Sequence, residues 1–540
     1  MKPMTKKPAI SITGLLPVVM AAVALLLTAT AHAAAPGVRG TNFALSASAA
    51  FISQPDGSLV YSWGYACSGG GTAAPFGPAT GSACGNTMQI PGPTLIVTQG
   101  ATVTVTLTNN LPAAAGNTSI LFPGFNVTTS GGVAGILTQE AAHGGTVTYS
   151  FTASTAGTHA YYSGTQGDLQ VEMGLYGAII VVPSAIPANC TSGLAASNRT
   201  AEAHWGETDF RLAAAAYNHP KACYDREYLF QFSEMDPRIH RQAEEQVAAR
   251  STCVAGAAGC SLEVATEPYH PAYYLINGRS MPDDMDPNYA AEYPHQPYNG
   301  NPHMHPGEQV LLRIIGQGRW QHPFHEHGNH VRILARDGNL IVSATDPNSL
   351  AGPLLFTTTT TPGVAMDGIF YWTGKGLNWD PYGHNPASAD PLAKLTCTPD
   401  ANGYNTGAPT AINYFEWCQD HNKPVQATPT GDVAGNGPVT LPDPNILTNG
   451  AWYGGSPYLG PNATLRATGC SAGAPAGSCG ATGSTPPSGT IANPPASEAG
   501  FAFMWHSHNE REITTNNIFP GGMLMMMLVD SREFQIDETN

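Results

Sequence analysis

Two histidine-rich stretches carry the strongest chemical signal in this chain. One is "HPFHEHGNH", with His322, His325, His327 and His330; the other is "FMWHSHNERE", with His506 and His508. Alternate residues of a strand point to one face. His325 and His327 therefore project together, and so do His506 and His508. If the two strands are neighbours, four imidazoles converge. Neutral imidazole suits copper, zinc, iron and nickel. A lone histidine is most often a surface or core residue, but two His-x-His pairs favour a metal over the alternative, a hydrogen-bonded core network.

Other residues weigh less. "NPHMHPG" sets His303 and His305 on one face, as a second metal site or, the favoured reading, a turn before a strand. Met523, Met525 and Met527 read as core packing, since a methionine-rich strand is usually buried. Glu326 and Glu512 lie near the histidines as acid/base groups, oxygen ligands or, the preferred option, ion-pair partners of Arg319 and Arg511. His143, His159 and His204 are read as structural. The chain has no P-loop, no GxSxG elbow and no dinucleotide fingerprint.

The elements that must position these residues are strands. Charged residues are scarce and Gly, Pro, Thr, Ala and Val abundant, which favours short strands and many turns. "TVTVTL" and "GTVTYSF" alternate with period two, and "LYGAIIVV" is a buried strand. The pattern predicts an all-β chain of two Greek-key β-sandwiches, residues 34–185 and 186–540. A Gly-, Pro-, Asn- and Ser-rich stretch at about 376–497 interrupts the second. A structureless loop of that length is unusual, so a disulfide-stapled insertion is expected, with strands on both sides of it closing the second sandwich. "EEQVAAR" is expected to form a short helix.

The first 33 residues read as a secretory signal peptide: Lys2, Lys6 and Lys7, an apolar run, then "AHA". No later stretch is apolar enough to span a bilayer, so a secreted chain, periplasmic or extracellular, is expected. All ten cysteines lie in the exported part as five near-neighbour pairs, an even count that suggests local disulfides whose pairing the spacing leaves open. Without those three lysines, 19 basic residues face 38 acidic ones, a formal charge of −19. Such a surface repels nucleic acid and anionic lipid.

The two histidine stretches resemble the motifs of multicopper oxidases, the family that includes laccases. "HPFHEHG" is similar to that family's His-Pro-x-His-x-His-Gly, and "WHSHNERE" followed by "GGM" to its His-Cys-His-x-x-x-His with a trailing Gly-Met. "TSILFPG", "GTHAYYSGTQ", "GLYGAIIV" and "INGR" match the framework. The resemblance implies cupredoxin-like sandwiches and copper, with His322 in the place of a blue-copper ligand and His325, His327, His506 and His508 in the three-copper cluster.

The departures limit what is carried over. Ser507 stands where the family has the copper-binding cysteine, and Glu512 where it has the second blue-copper histidine; Met523 stands for the axial ligand across a longer gap. The first-domain copper positions fall on Leu121, Pro123, Tyr162 and Gly164. A serine hydroxyl cannot supply the soft thiolate of a blue site, and four histidines cannot hold three coppers. The expected function is a copper oxidoreductase with a mono- or dinuclear site, no blue copper, and an unidentified small-molecule or protein electron donor. The alternative is a non-enzymatic copper-binding or structural cupredoxin. A homotrimer, which the resemblance admits, does not restore ligands that every copy lacks.

Overall fold

The computed structural model describes residues 35–73, 87–207, 211–378, 396–411, 413–421, 455–458 and 500–530, with Arg532 and Ile536. The expected signal peptide and most of the expected insertion lie outside them. The chain is all-β and forms two two-sheet, cupredoxin-like sandwiches.

Seven longer strands build the first: β1 (Asn42–Ser53), β2 (Leu59–Gly69), β3 (Leu95–Thr98), β4 (Thr102–Asn109), β5 (Thr146–Thr152), β6 (Gly157–Tyr162) and β7 (Tyr176–Val182). One sheet runs β2-β1-β4-β5 and ends on Thr128–Gly131; the other runs β6-β7-β3 and continues to Val38–Arg39 and Thr72–Ala73. The Thr/Val alternation does what a half-buried strand requires. Val103, Val105 and Leu107 are fully buried with Val147, Tyr149 and Phe151 opposite them, and the intervening threonines face outward.

The second sandwich uses β8 (Arg226–Met235), β9 (Tyr273–Ile276), β10 (Gln309–Gly316), β11 (His322–Glu326), β12 (Val331–Arg336), β13 (Thr357–Thr360), β14 (Ala365–Tyr371), β15 (Gly500–Ser507) and β16 (Leu524–Asp530). Its sheets run β9-β8-β10-β14-β12 and β16-β15-β11-β13, the first continuing to Asn339–Leu340 and the second edged by His303–Met304 beside β16. Strands before and after residues 376–497 thus pair in one sheet. Phe324, Trp505, Phe503, Met523, Met525 and Met527 are buried in one core, so the methionines pack rather than reach a surface.

The helix foreseen at "EEQVAAR" is longer, Pro237–Ala249, capped by the Asp236 side chain accepting from the Arg238 N–H, with proline at its first turn. It buries Ile239 and Ala243 in the core of the first sandwich. Asp367 of β14 also joins the two sandwiches: it accepts from the Thr158 hydroxyl at 2.6 Å and the Thr158 N–H at 3.1 Å, while Tyr217 donates to it as well. Disulfides link Cys190–Cys223, Cys253–Cys260 and Cys397–Cys418. Cys67 is also disulfide-bonded; Cys84, Cys470 and Cys479 lie outside the described residues.

Phe324 meets Phe232 at 4.7 Å and Trp505 at 6.1 Å between ring centroids. Phe324→Ala is expected to cost about 3–5 kcal/mol through the cavity left behind. The check is the urea midpoint of the variant beside the parent.

Candidate metal centre

β11 pairs antiparallel with β15 so that His325 lies opposite His506, Phe324 opposite Ser507 and Glu326 opposite Trp505. Strand alternation then sorts the residues. Phe324, Trp505 and Ser507 point into the core, all fully buried. His325, His327, His506 and His508 share the other face. Two backbone contacts extend the register past the strand ends: the Trp505 indole donates to the His327 carbonyl at 2.8 Å, and the His508 N–H donates to the Pro323 carbonyl at 2.7 Å.

The four expected imidazoles are brought together. The His325 ring centre lies 4.7 Å from His327, 5.5 Å from His506 and 4.9 Å from His508, and His327 and His506 are 5.1 Å apart. His327 Nε2 and His506 Nε2 approach to 3.2 Å. His325 and His327 are buried, whereas His508 is half-exposed and faces Glu510 at 3.6 Å. Burial, followed by the neighbouring His506 and His508, pushes the His325 pKa down to about 4; burial likewise lowers that of His506. His325 and His506 therefore favour the uncharged ring at neutral pH, which is the metal-binding form.

The tautomer of His506 follows from its partner. Its Nδ1 is 2.7 Å from the Ser507 carbonyl, which only accepts, so Nδ1 carries the proton and Nε2 the lone pair. His327 Nε2–H then donates across the 3.2 Å gap. Two imidazole nitrogens each about 2.0 Å from one ion at a tetrahedral angle lie about 3.3 Å apart. Exchange of that proton for a cation thus needs little movement of the pair. The other two rings must turn: among the described residues, no three His, Cys, Asp or Glu donors are already set to hold one ion. The donor set fits copper or zinc in chemistry, with a preformed pair and two adjacent rings.

His322, expected in the place of a blue-copper ligand, stands on the core face. Its Nε2 donates to Glu234 and its Nδ1 to Glu512, both at 2.9 Å, and it is fully buried. Burial alone would lower its pKa, but the two carboxyl groups outweigh this and raise it to about 9. Both ring nitrogens carry protons, so the ring offers no lone pair to a metal. Ser507 donates to the same Glu512 oxygen at 2.5 Å, and the Asn509 amide donates to the other at 2.9 Å. Glu234 is held by the N–H groups of Arg319 and Trp320, at 2.7 and 2.9 Å. A Glu–His–Glu bridge thus occupies the place in which the resemblance implied a blue copper.

The preferred ion-pair reading of Glu326 and Glu512 is corrected. Arg319 pairs with Glu267 at 2.6 Å, and Arg511 bonds Tyr274 and Asn517. Glu326 faces inward, accepts from the Thr358 hydroxyl at 2.8 Å, and is pushed up to about 8 by burial, so at neutral pH it favours the uncharged acid. His303 bonds Asp530 and His305 bonds Glu207, both at 2.7 Å and buried, in keeping with the turn-and-strand reading. Glu234 escaped the sequence reading. Its signal was a strand, "REYLFQFSEM", carrying charges yet buried throughout; each such charge requires a partner.

A family model for multicopper oxidases matches residues 72–185, and that match implies copper as the cofactor. No curated protein matches the chain. Among solved structures, the chain is similar to the multicopper oxidase mgLAC, at 15% identity over 93% of this chain and 88% of that one, TM-score 0.43. It is also similar to the blue copper oxidase from Nitrosomonas europaea, at 15% identity over 91% and 85%, TM-score 0.42. A third likeness is to the copper nitrite reductase from Nitrosomonas europaea, at 18% identity over 62% and 85%, TM-score 0.36.

Two predictions follow from the bridge. A histidine whose pKa is raised on folding stabilises the fold fully below its unfolded value near 6.5, and that contribution is lost as pH rises through about 9. Stability measured by urea unfolding should fall between pH 6.5 and 9. His322→Ala should abolish that slope and cost about 3–5 kcal/mol, because it strands two buried carboxyl groups. Ser507→Cys alone should give no intense blue band with copper, since Glu512 and the doubly bonded His322 remain; a strong visible thiolate band in that variant would refute the assignment.

Proposed function

We propose that this chain is a secreted, copper-dependent oxidoreductase of multicopper-oxidase type, with a mono- or dinuclear site on His325, His327, His506 and His508 and no blue copper. The observation that supports it is the 3.2 Å approach of His327 Nε2 to His506 Nε2 on a face shared by four imidazoles. Bound there, copper would supply one-electron redox chemistry. The chain's own residues do the rest. The Ser507 carbonyl holds the His506 tautomer, and Thr357, with its hydroxyl 2.7 Å from Nδ1, orients the His325 ring. His508, half-exposed, leaves one side of the group open to solvent, where a small reactant gains access. The His322 bridge supplies no ligand and no electron route, so electrons reach the site from an external donor of small-molecule or protein kind. Periplasmic or extracellular location follows from the signal-peptide reading.

A second reading keeps the copper and removes the turnover. It is favoured by the absence, among the described residues, of three donors already converged on one ion: a chain that stores or passes copper needs only a pair that adjusts on binding.

The test is metal analysis of the purified mature protein with optical and paramagnetic resonance spectra, beside a His327→Ala/His506→Ala variant. Copper near one or two per chain, no intense blue band, and loss of the metal in the variant are expected. Oxidation of an added donor that disappears in the variant supports the oxidoreductase; histidine-dependent copper without turnover supports the second reading. Metal retained by the double variant overturns both.

A further inference from the structure

Away from the histidine face, the first and second sandwiches together form an open pocket of about 290 Å³. Leu121, Leu137, Val171 and Pro362 make its walls apolar, and Tyr162 and Gln317 add polarity. No charged residue is among the described lining residues. The volume lies at the lower end of the range for small-molecule sites, and the composition, mostly apolar with a few placed polar groups, is the one such sites use.

Ser163 also lines the pocket but donates its hydroxyl to Gln170 at 2.6 Å; the other two polar groups are distinct. Gln317 commits its amide nitrogen, donating to the Gly177 carbonyl and to Gln231 Oε1, both at 3.0 Å. Its carbonyl oxygen is then the group it can offer, as an acceptor. Among the described residues the Tyr162 hydroxyl has no hydrogen-bond partner, and half-burial holds the phenol neutral. The backbone of Tyr162 is fixed by exchange with Leu121, at 2.7 and 3.3 Å. One wall, Gly318, adopts φ +67°, and a Cβ there would lie 2.5 Å from Glu234 Oε2. Only glycine fits between the cavity and the buried Glu–His–Glu bridge.

We propose that this cavity binds a small, neutral, largely apolar molecule bearing one hydrogen-bonding hydroxyl or amide, which donates to Gln317 and bonds the Tyr162 hydroxyl. Leu121, Tyr162 and Gly164, three of the positions at which the resemblance places first-domain copper ligands, line this cavity; none is a histidine, and the proposal requires no copper. An ion is disfavoured, because desolvation in an uncharged wall has no compensating partner.

The experiment is calorimetric titration of the full-length mature protein with 2-naphthol, and with 2-naphthalenesulfonate as the charged counterpart. Saturable binding of 2-naphthol at one per chain is expected, at least tenfold tighter than the sulfonate. Tyr162→Phe should weaken it about threefold to tenfold, the worth of one net hydrogen bond. Gly167 lines the exposed side of the pocket and an added Cβ there meets no atom within 4 Å, so Gly167→Trp should be accommodated, keep the fold, and obstruct binding. His327→Ala/His506→Ala should leave binding intact whether or not it removes copper. The proposal is overturned by no saturable binding, by equal affinity for the sulfonate, or by affinity unchanged in Tyr162→Phe and Gly167→Trp. If circular dichroism shows that Gly167→Trp is unfolded, unchanged affinity in Tyr162→Phe alone overturns it.

Discussion

The pairing of β11 with β15, His325 against His506, is the constraint on which the site depends. A slip of one residue in this pair would reverse the faces of one strand relative to the other. The imidazoles of one strand would then enter the core, and Phe324 or Trp505 would leave it. The apolar core therefore holds the histidine face in register. Phe324, Trp505 and Phe370 pack edge to face behind it, with ring centres 5.0 to 6.1 Å apart, and the energy of burying them fixes the positions of rings that contribute little to folding themselves.

The same alternation explains how one motif supports two unlike environments. His322 lies three residues before His325, so it faces the core while His325 faces outward. On the core side, a histidine must be neutral or doubly paired. Glu234 and Glu512 provide the second solution, and Ser507 completes it by donating to Glu512. On the outer side, burial and mutual repulsion favour the neutral rings of His325 and His506. The strand pair thus separates a proton-saturated histidine from a set of lone-pair donors. The first is a buried ion bridge; the second presents ring nitrogens on the opposite face of the strand pair.

The bridge also gives the substitutions at Ser507 and Glu512 one physical account. A thiolate beside Glu512 would set two anions together in a buried space, whereas a serine hydroxyl donates to it. With His322 and Glu234 the set satisfies its own hydrogen bonds, as buried polar networks must. Changing one member toward a copper ligand leaves the others without partners, so this part of the chain holds together as a unit.

Much of this was legible in the residues. Period-two threonine and valine runs determine the strands, because a half-buried strand must alternate. The spacing of His325 with His327 and of His506 with His508 determines that each pair shares a face, and the parity of His322 places it on the opposite one. Serine at 507 determines that no thiolate is available. Four things were decided only by the tertiary structure. β11 and β15 became neighbours although they lie far apart in sequence. Glu234, from a strand of the other sheet, reached His322. Glu326 turned inward and met Thr358 rather than an arginine. Leu121, Tyr162 and Gln317 came to surround one cavity. The reason is the same in each case: periodicity fixes which way a side chain points along its own strand, but the partner across the gap is chosen by how two sheets pack, a contact between residues far apart in the chain that no local pattern encodes.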